Sequence, residues 1–214
     1  MSVTRRLPVY LMIDTSGSMY GEPIEAIRTG LPSLLSALRN DPHASETVWL
    51  SVITFDSVAQ QILPLTELFD VQLPDIDANG GTSLGAALEL LVDCIERETE
   101  KSTAESKGDW RPFVFLFTDG EPTDDIRNGV NKVKSLKMGG FIACGVGASN
   151  TNILKQITES VVTLENADGA SLAAYLKWVT QSIKMKSKNI DSSSSSSNVL
   201  ETLAAPPPEI NVVL

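Results

Sequence analysis

Histidine and cysteine are scarce in this chain, and long apolar runs are missing. One histidine, His43, and two cysteines, Cys94 and Cys144, occur among 214 residues. His43 stands in an Asp-Pro-His segment that reads as an exposed loop, so a serine nucleophile such as Ser16 has no evident base. Cys94 falls on a helical pattern and Cys144 in an apolar strand-like run. Both read as small core residues rather than a disulfide, the usage expected in a reducing compartment. No stretch approaches the roughly 20 apolar residues that span a bilayer. Asp14 interrupts the first apolar run too soon for a signal peptide, although Arg5-Arg6 precede it. A cytoplasmic, soluble protein is expected. Positive charge is also short, with 17 Lys and Arg against 27 Asp and Glu and a net charge of −10. That balance argues against nucleic acid and acidic membrane surfaces as main partners. Lys177, Lys184, Lys186 and Lys188 gather near the end of the last helical segment, where they suit a helix C-terminus or, alternatively, a docking patch.

The length suits one domain with an appendage. Apolar runs at 8–13, 47–55, 113–117, 141–146 and 161–164 read as strands, and 58–63 as an antiparallel edge strand. Helical spacing of apolar residues predicts helices over 23–39, 83–98, 124–136, 152–158 and 170–186. Pro23 fits a first helical turn. Pro32 removes a backbone donor and predicts a kink near Arg28. The Asp124-Asp125 pair suits the N-terminal dipole of the helix that follows it. Alternating strands and helices predict an α/β fold: a doubly wound, mostly parallel, Rossmann-like sheet with one antiparallel edge strand and helices on both faces. Residues 1–186 form the expected domain. Residues 187–214 contain a serine run (192–197), Pro206-Pro207-Pro208 and an apolar end (210–214). They read as a flexible tail or as a docking peptide that adds a strand or fills a groove.

Asp14-Thr15-Ser16-Gly17-Ser18 follows the first strand, where open α/β sheets place their ligands. Asp14, Ser16 and Ser18 alternate, so one tight loop can aim a carboxylate and two hydroxyls at a point. Such oxygens suit Mg²⁺, Mn²⁺ or Ca²⁺, and they equally suit a helix N-cap. Gly80-Gly81-Thr82-Ser83 and Thr118-Asp119-Gly120 bring further short oxygen-bearing side chains to loops. Together, Asp14, Ser16, Ser18, Thr82 and Asp119 resemble the metal-ion-dependent adhesion site (MIDAS) of von Willebrand factor A (vWA) domains. Stretches from about Arg6 to Ser182 resemble the TerY family more narrowly. They include Gly21-Glu22-Pro23-Ile24, Ser51-Val52-Ile53-Thr54-Phe55-Asp56, Lys107-Gly108-Asp109-Trp110 and the segment 118–125 (TDGEPTDD).

That resemblance implies a vWA fold and a non-enzymatic, metal-binding, partner-recruiting role in bacterial tellurite and stress resistance, with a kinase and a phosphatase as partners. It implies a divalent cation, Mg²⁺ or else Mn²⁺ or Ca²⁺. Ser16, Ser18 and Thr82 would bind it directly, and Asp14 and Asp119 through water or hydrogen bonds. With few direct anionic ligands the ion stays electrophilic, so the Asp or Glu of a protein partner can complete its shell. Glu22, Glu121, Asp124 and Asp125 read as helix N-terminal charges or as an acidic rim and brace for the site. The alternative from another class is a metal-dependent hydrolase or phosphatase, which needs a base near the metal. No P-loop or nucleophile elbow occurs. Asp14 lacks the second acid that a haloacid-dehalogenase nucleophile has two residues later. Gly145-Val146-Gly147-Ala148, with Glu165 downstream, lacks the final glycine and the first-unit position of a dinucleotide loop.

Overall fold

The computed structural model describes residues 5–147, 149–166, 168–189 and 199–213. The serine run at 192–197 lies outside the described residues. Strand β1 (Leu7–Asp14) is buried from end to end, as a strand covered on both faces must be. Leu7, Val9, Leu11 and Ile13 enter one apolar cluster, whereas Tyr10 and Met12 enter a second. This two-residue alternation places one cluster on each side of the sheet. Strand β4 (Phe113–Thr118) repeats it, with Phe113, Phe115 and Phe117 on the first side and Val114 and Leu116 on the second. Side chains of this size contribute about 1.5–3 kcal/mol each when fully buried.

The other strands are β2 (Val48–Phe55), β3 (Ala59–Glu67), β5 (Gly140–Val146), β6 (Ser160–Leu164) and β7 (Ile210–Val213). They form one sheet in the order β3-β2-β1-β4-β5-β6-β7. The pairs β1–β2, β1–β4, β4–β5 and β5–β6 are parallel, and β2–β3 and β6–β7 antiparallel. The first cluster holds buried residues of α1 (Glu22–Arg39) and α6 (Gly169–Lys188). The second holds those of α3 (Leu84–Glu98), α4 (Arg127–Ser135) and α5 (Thr151–Ile157). The doubly wound, mostly parallel sheet with helices on both faces is therefore present. Cys94 and Cys144 are free and lie in opposite clusters.

The structure departs from the sequence expectations at three places. The sheet has two antiparallel edges rather than one, because the apolar chain end pairs with β6 as β7. His43 is exposed, as expected, but sits in a short helix α2 (Pro42–Thr47), capped by the Asp41 carboxylate through the His43 and Ala44 N–H groups. Helix α4 starts at Arg127 rather than near Asp124, because both acids are otherwise engaged. The Asp125 carboxylate accepts from Arg127, and Asp124 serves a different helix.

From β1 the chain crosses to β2 on one side, while β4 lies on the other. The strand order therefore reverses between β1 and β4. A crevice opens at their carboxyl ends, the position at which open α/β sheets bind ligands.

Candidate functional site

Asp14 is the last residue of β1 and Asp119 directly follows β4, so the reversal point brings two carboxylates together from distant parts of the chain. Asp14 is fully buried. Its Oδ1 accepts from the Ser16 N–H at 2.8 Å, closing a tight turn, and its Oδ2 accepts from the Thr118 hydroxyl. The turn points Ser16 and Ser18 the same way, with their hydroxyls 3.0 Å apart. Ser18 Oγ donates to Asp119 Oδ1 at 2.8 Å. Asp14, Ser16, Ser18 and Asp119 thus belong to one hydrogen-bonded cluster with Thr118.

Thr82 reaches the same cluster from the loop before α3. The nearest oxygens around Gly120 show this: a Cβ built there would lie 3.2 Å from Thr82 Oγ1 and 3.9 Å from both Asp14 Oδ2 and Ser18 Oγ. Three of the five sequence-selected side chains therefore surround the small volume that Gly120 leaves open. The loop carrying Thr82 is fastened on several sides. Gly80 O accepts from Gly17 N, Thr15 O from Asn79 N, and Asp56 O from Ser83 N. Gly80 has φ +69°, and a Cβ there would lie 2.3 Å from Ser57 Oγ. Only glycine suits that left-handed backbone at that approach.

Burial is the main force that raises the Asp14 carboxyl above its ordinary value. The hydrogen bonds from Ser16 and Thr118 oppose this, and the nearby Asp119 charge adds to the rise. A desolvated carboxylate beside a second one is an electrostatic cost that a bound cation relieves. The donor set is two carboxylates and three hydroxyls, all hard oxygen, which matches Mg²⁺, Mn²⁺ or Ca²⁺ better than softer metals. Among the described residues, no group of three His, Cys, Asp or Glu side chains gathers as an alternative metal centre. His43 is remote: α2 leads into the amino end of β2, which pairs with the amino end of β1.

Two supporting residues, Thr118 and Thr123, have roles that the sequence did not assign, and Asp124 serves a helix other than its own. Thr118 holds Asp14, and Thr123 Oγ1 accepts from Thr82 N while its own N–H donates to Thr82 O. Asp124 caps α3, accepting from Gly85 N at 2.9 Å and Ala86 N at 2.8 Å. The segment 118–125 was visible as a motif, but which helix its acids serve depends on packing. Of the expected acidic rim, Glu22 and Glu121 are exposed, and Glu121 accepts from Asn150.

Residues 9–175 match the model of the von Willebrand factor type A domain. The uncharacterized protein sll0103 of Synechocystis is 31% identical over 124 residues, covering 55% of this chain and 26% of that protein. Inter-alpha-trypsin inhibitor heavy chain H4 of Bos taurus is 28% identical over 137 residues, 60% of this chain and 14% of its own length. The chain thus spans well under half of either relative. A von Willebrand factor type A structure from Catenulispora acidiphila superimposes with a TM-score of 0.62 at 18% identity, over 85% of this chain and 43% of that one. Proximal thread matrix protein 1 from the mussel byssus, with a zinc-occupied MIDAS motif, gives 0.59 at 21% identity, over 83% and 48%. At these identities the structural likeness concerns the fold.

Proposed function

The chain belongs to the von Willebrand factor type A domain family, and we propose on that premise that it is a non-enzymatic, metal-ion-dependent protein-binding module. One observation carries the reading: a buried carboxylate, three hydroxyls and a second carboxylate converge on the crevice where the sheet's strand order reverses. Ser16, Ser18 and Thr82 would hold Mg²⁺, or Mn²⁺ or Ca²⁺, through neutral hydroxyls. Asp14 and Asp119 would hold it through water or hydrogen bonds. A bound cation supplies an electrophilic position that an Asp or Glu of a protein partner can fill. The chain's own residues do the rest. The Asp14 turn orients both serines, Thr118 fixes the Asp14 carboxylate, and the tie between Gly17 and Gly80 keeps the Thr82 loop against the serine loop. The zinc-occupied MIDAS motif of the mussel protein supports a cation at the corresponding site of this fold.

The finer assignment rests on the sequence resemblance to the TerY family. On that basis the module serves cytoplasmic bacterial tellurite and stress resistance and recruits a kinase and a phosphatase. The test is co-purification from the native host with and without chelator, alongside calorimetric titration of Mg²⁺ and Mn²⁺. Asp14→Ala should abolish cation binding and partner capture while thermal unfolding stays cooperative. Unchanged capture by Asp14→Ala, or by chelated protein, would overturn the proposal.

A further inference from the structure

The chain end does more than trail from α6. Residues 199–213 return along the flank of the domain and add β7 to the sheet, with Val161 opposite Val213 and Leu164 opposite Ile210. The added strand serves both faces. Ile210 is buried in the cluster of α1 and α6, and Val213 packs against that of α3, α4 and α5. Before β7, Leu203 is buried, and the Trp178 indole N–H of α6 donates to Ala204 O at 2.8 Å. Pro207 and Pro208 line a groove of about 360 Å³ together with Ala174, Lys177, Trp178 and Gln181 of α6.

This arrangement has the form of a peptide complex made within one chain: backbone pairing for affinity, one side-chain anchor on each face of the sheet for selectivity, and a proline pair that shares a groove with an indole. We propose that the β6 edge and the Trp178 groove are a second protein-docking site, two strands along the sheet from β4. The site accepts an extended segment in which prolines precede aliphatic residues at the positions of Ile210 and Val213. Residues 199–213 are its occupant in cis, and a partner segment of the same chemistry replaces them in trans. Without an occupant, β6 would present unpaired backbone groups at an open sheet edge, which is the template such a segment needs. This site is independent of the metal reading, so chelator should leave it unaffected.

The probe is a synthetic peptide of residues 199–213, added to the full chain carrying Ile210→Asp and Val213→Asp. Those substitutions remove the cis anchors without touching β6 or Trp178. The peptide should bind this variant one to one, and wild type at least tenfold more weakly because its site is filled. Adding Trp178→Phe to the variant should weaken the peptide several-fold. No binding by a cooperatively folded variant, or equal binding by wild type, would overturn the proposal. A concentration-dependent dimer exchanging this strand would support the same site with a second copy as donor. Hydrogen exchange on the wild-type chain gives a test that needs no variant. The β7 amides should exchange at least tenfold faster than those of β1 and β4, and equal protection would overturn detachment.

Discussion

Gly120→Ala tests the convergence of oxygens most directly, because it changes space rather than ligands. Gly120 does not have positive φ, so alanine can adopt its backbone conformation. The added methyl would stand 3.2 Å from Thr82 Oγ1 and 3.9 Å from Asp14 Oδ2 and Ser18 Oγ. These are tolerable contacts in the metal-free chain, and stability should change by less than about 1 kcal/mol, partly offset by a less flexible unfolded state. A Mg²⁺ ion, however, needs oxygens at about 2.0–2.1 Å in a nearly octahedral shell. A methyl among three of those oxygens removes room for the ion or one of its waters, and affinity should fall at least tenfold, or about 1.4 kcal/mol. The assay is thermal unfolding with cation at about 100 times the wild-type dissociation constant. Linkage then stabilises wild type by about 2.7 kcal/mol and the variant by about 1.4 kcal/mol or less. For a domain of this size the midpoint shifts correspond to about 5–10 °C and at most about 3–5 °C. An equal shift in both proteins would refute a cation seated among these oxygens.

Two further predictions concern the frame around the site. Asp124→Ala removes both bonds to the first amides of α3 and should cost about 1–2 kcal/mol in urea unfolding; Asp124→Asn should recover part of it, and unchanged stability would show that the cap is dispensable. Burial pushes the Asp41 carboxyl up, but the Ala44 N–H, Lys188 and Lys184 outweigh it, leaving the group below its ordinary 3.8. A carboxyl depressed by folding stabilises above its unfolded value and loses that contribution as pH falls through the folded one. Wild type should therefore lose stability more steeply than Asp41→Asn below about pH 4; parallel pH profiles in urea titrations would refute this.

Much of the fold was legible because buried parallel strands leave unbroken apolar runs. The runs behind β1, β4 and β5 match the structure to within one residue at each end. The less legible parts depend on partners outside their own segment. Asp124 and Asp125 look like the acidic start of their own helix, and local dipole reasoning favours that. Tertiary packing instead gives Asp124 to the amides of Gly85 and Ala86, and α4 begins three residues later. By contrast, the span of α1 was legible: apolar spacing predicts a helix over 23–39, and α1 runs from Glu22 to Arg39 with Pro32 inside it. Leu31, Leu34, Leu35 and Leu38, on either side of Pro32, are anchored in the core. The partner of β7 was not legible, because a four-residue segment after a proline run carries no record of the edge it will meet.

The residue types of the site and their order along the chain are properties of the sequence alone. Asp14, Ser16 and Ser18 share a turn, so their convergence is a local matter of an Asx hydrogen bond and alternating side chains. Thr82 and Asp119 are different. They come from distant loops, and the reversal of strand order between β1 and β4, with Gly120 leaving space between them, brings their oxygens beside the serines. Short-range chemistry thus determined which atoms could serve. The long-range topology of the sheet decided that they meet, because hydrogen bonds and coordination act over a few ångströms and the chain must first be folded to within that reach.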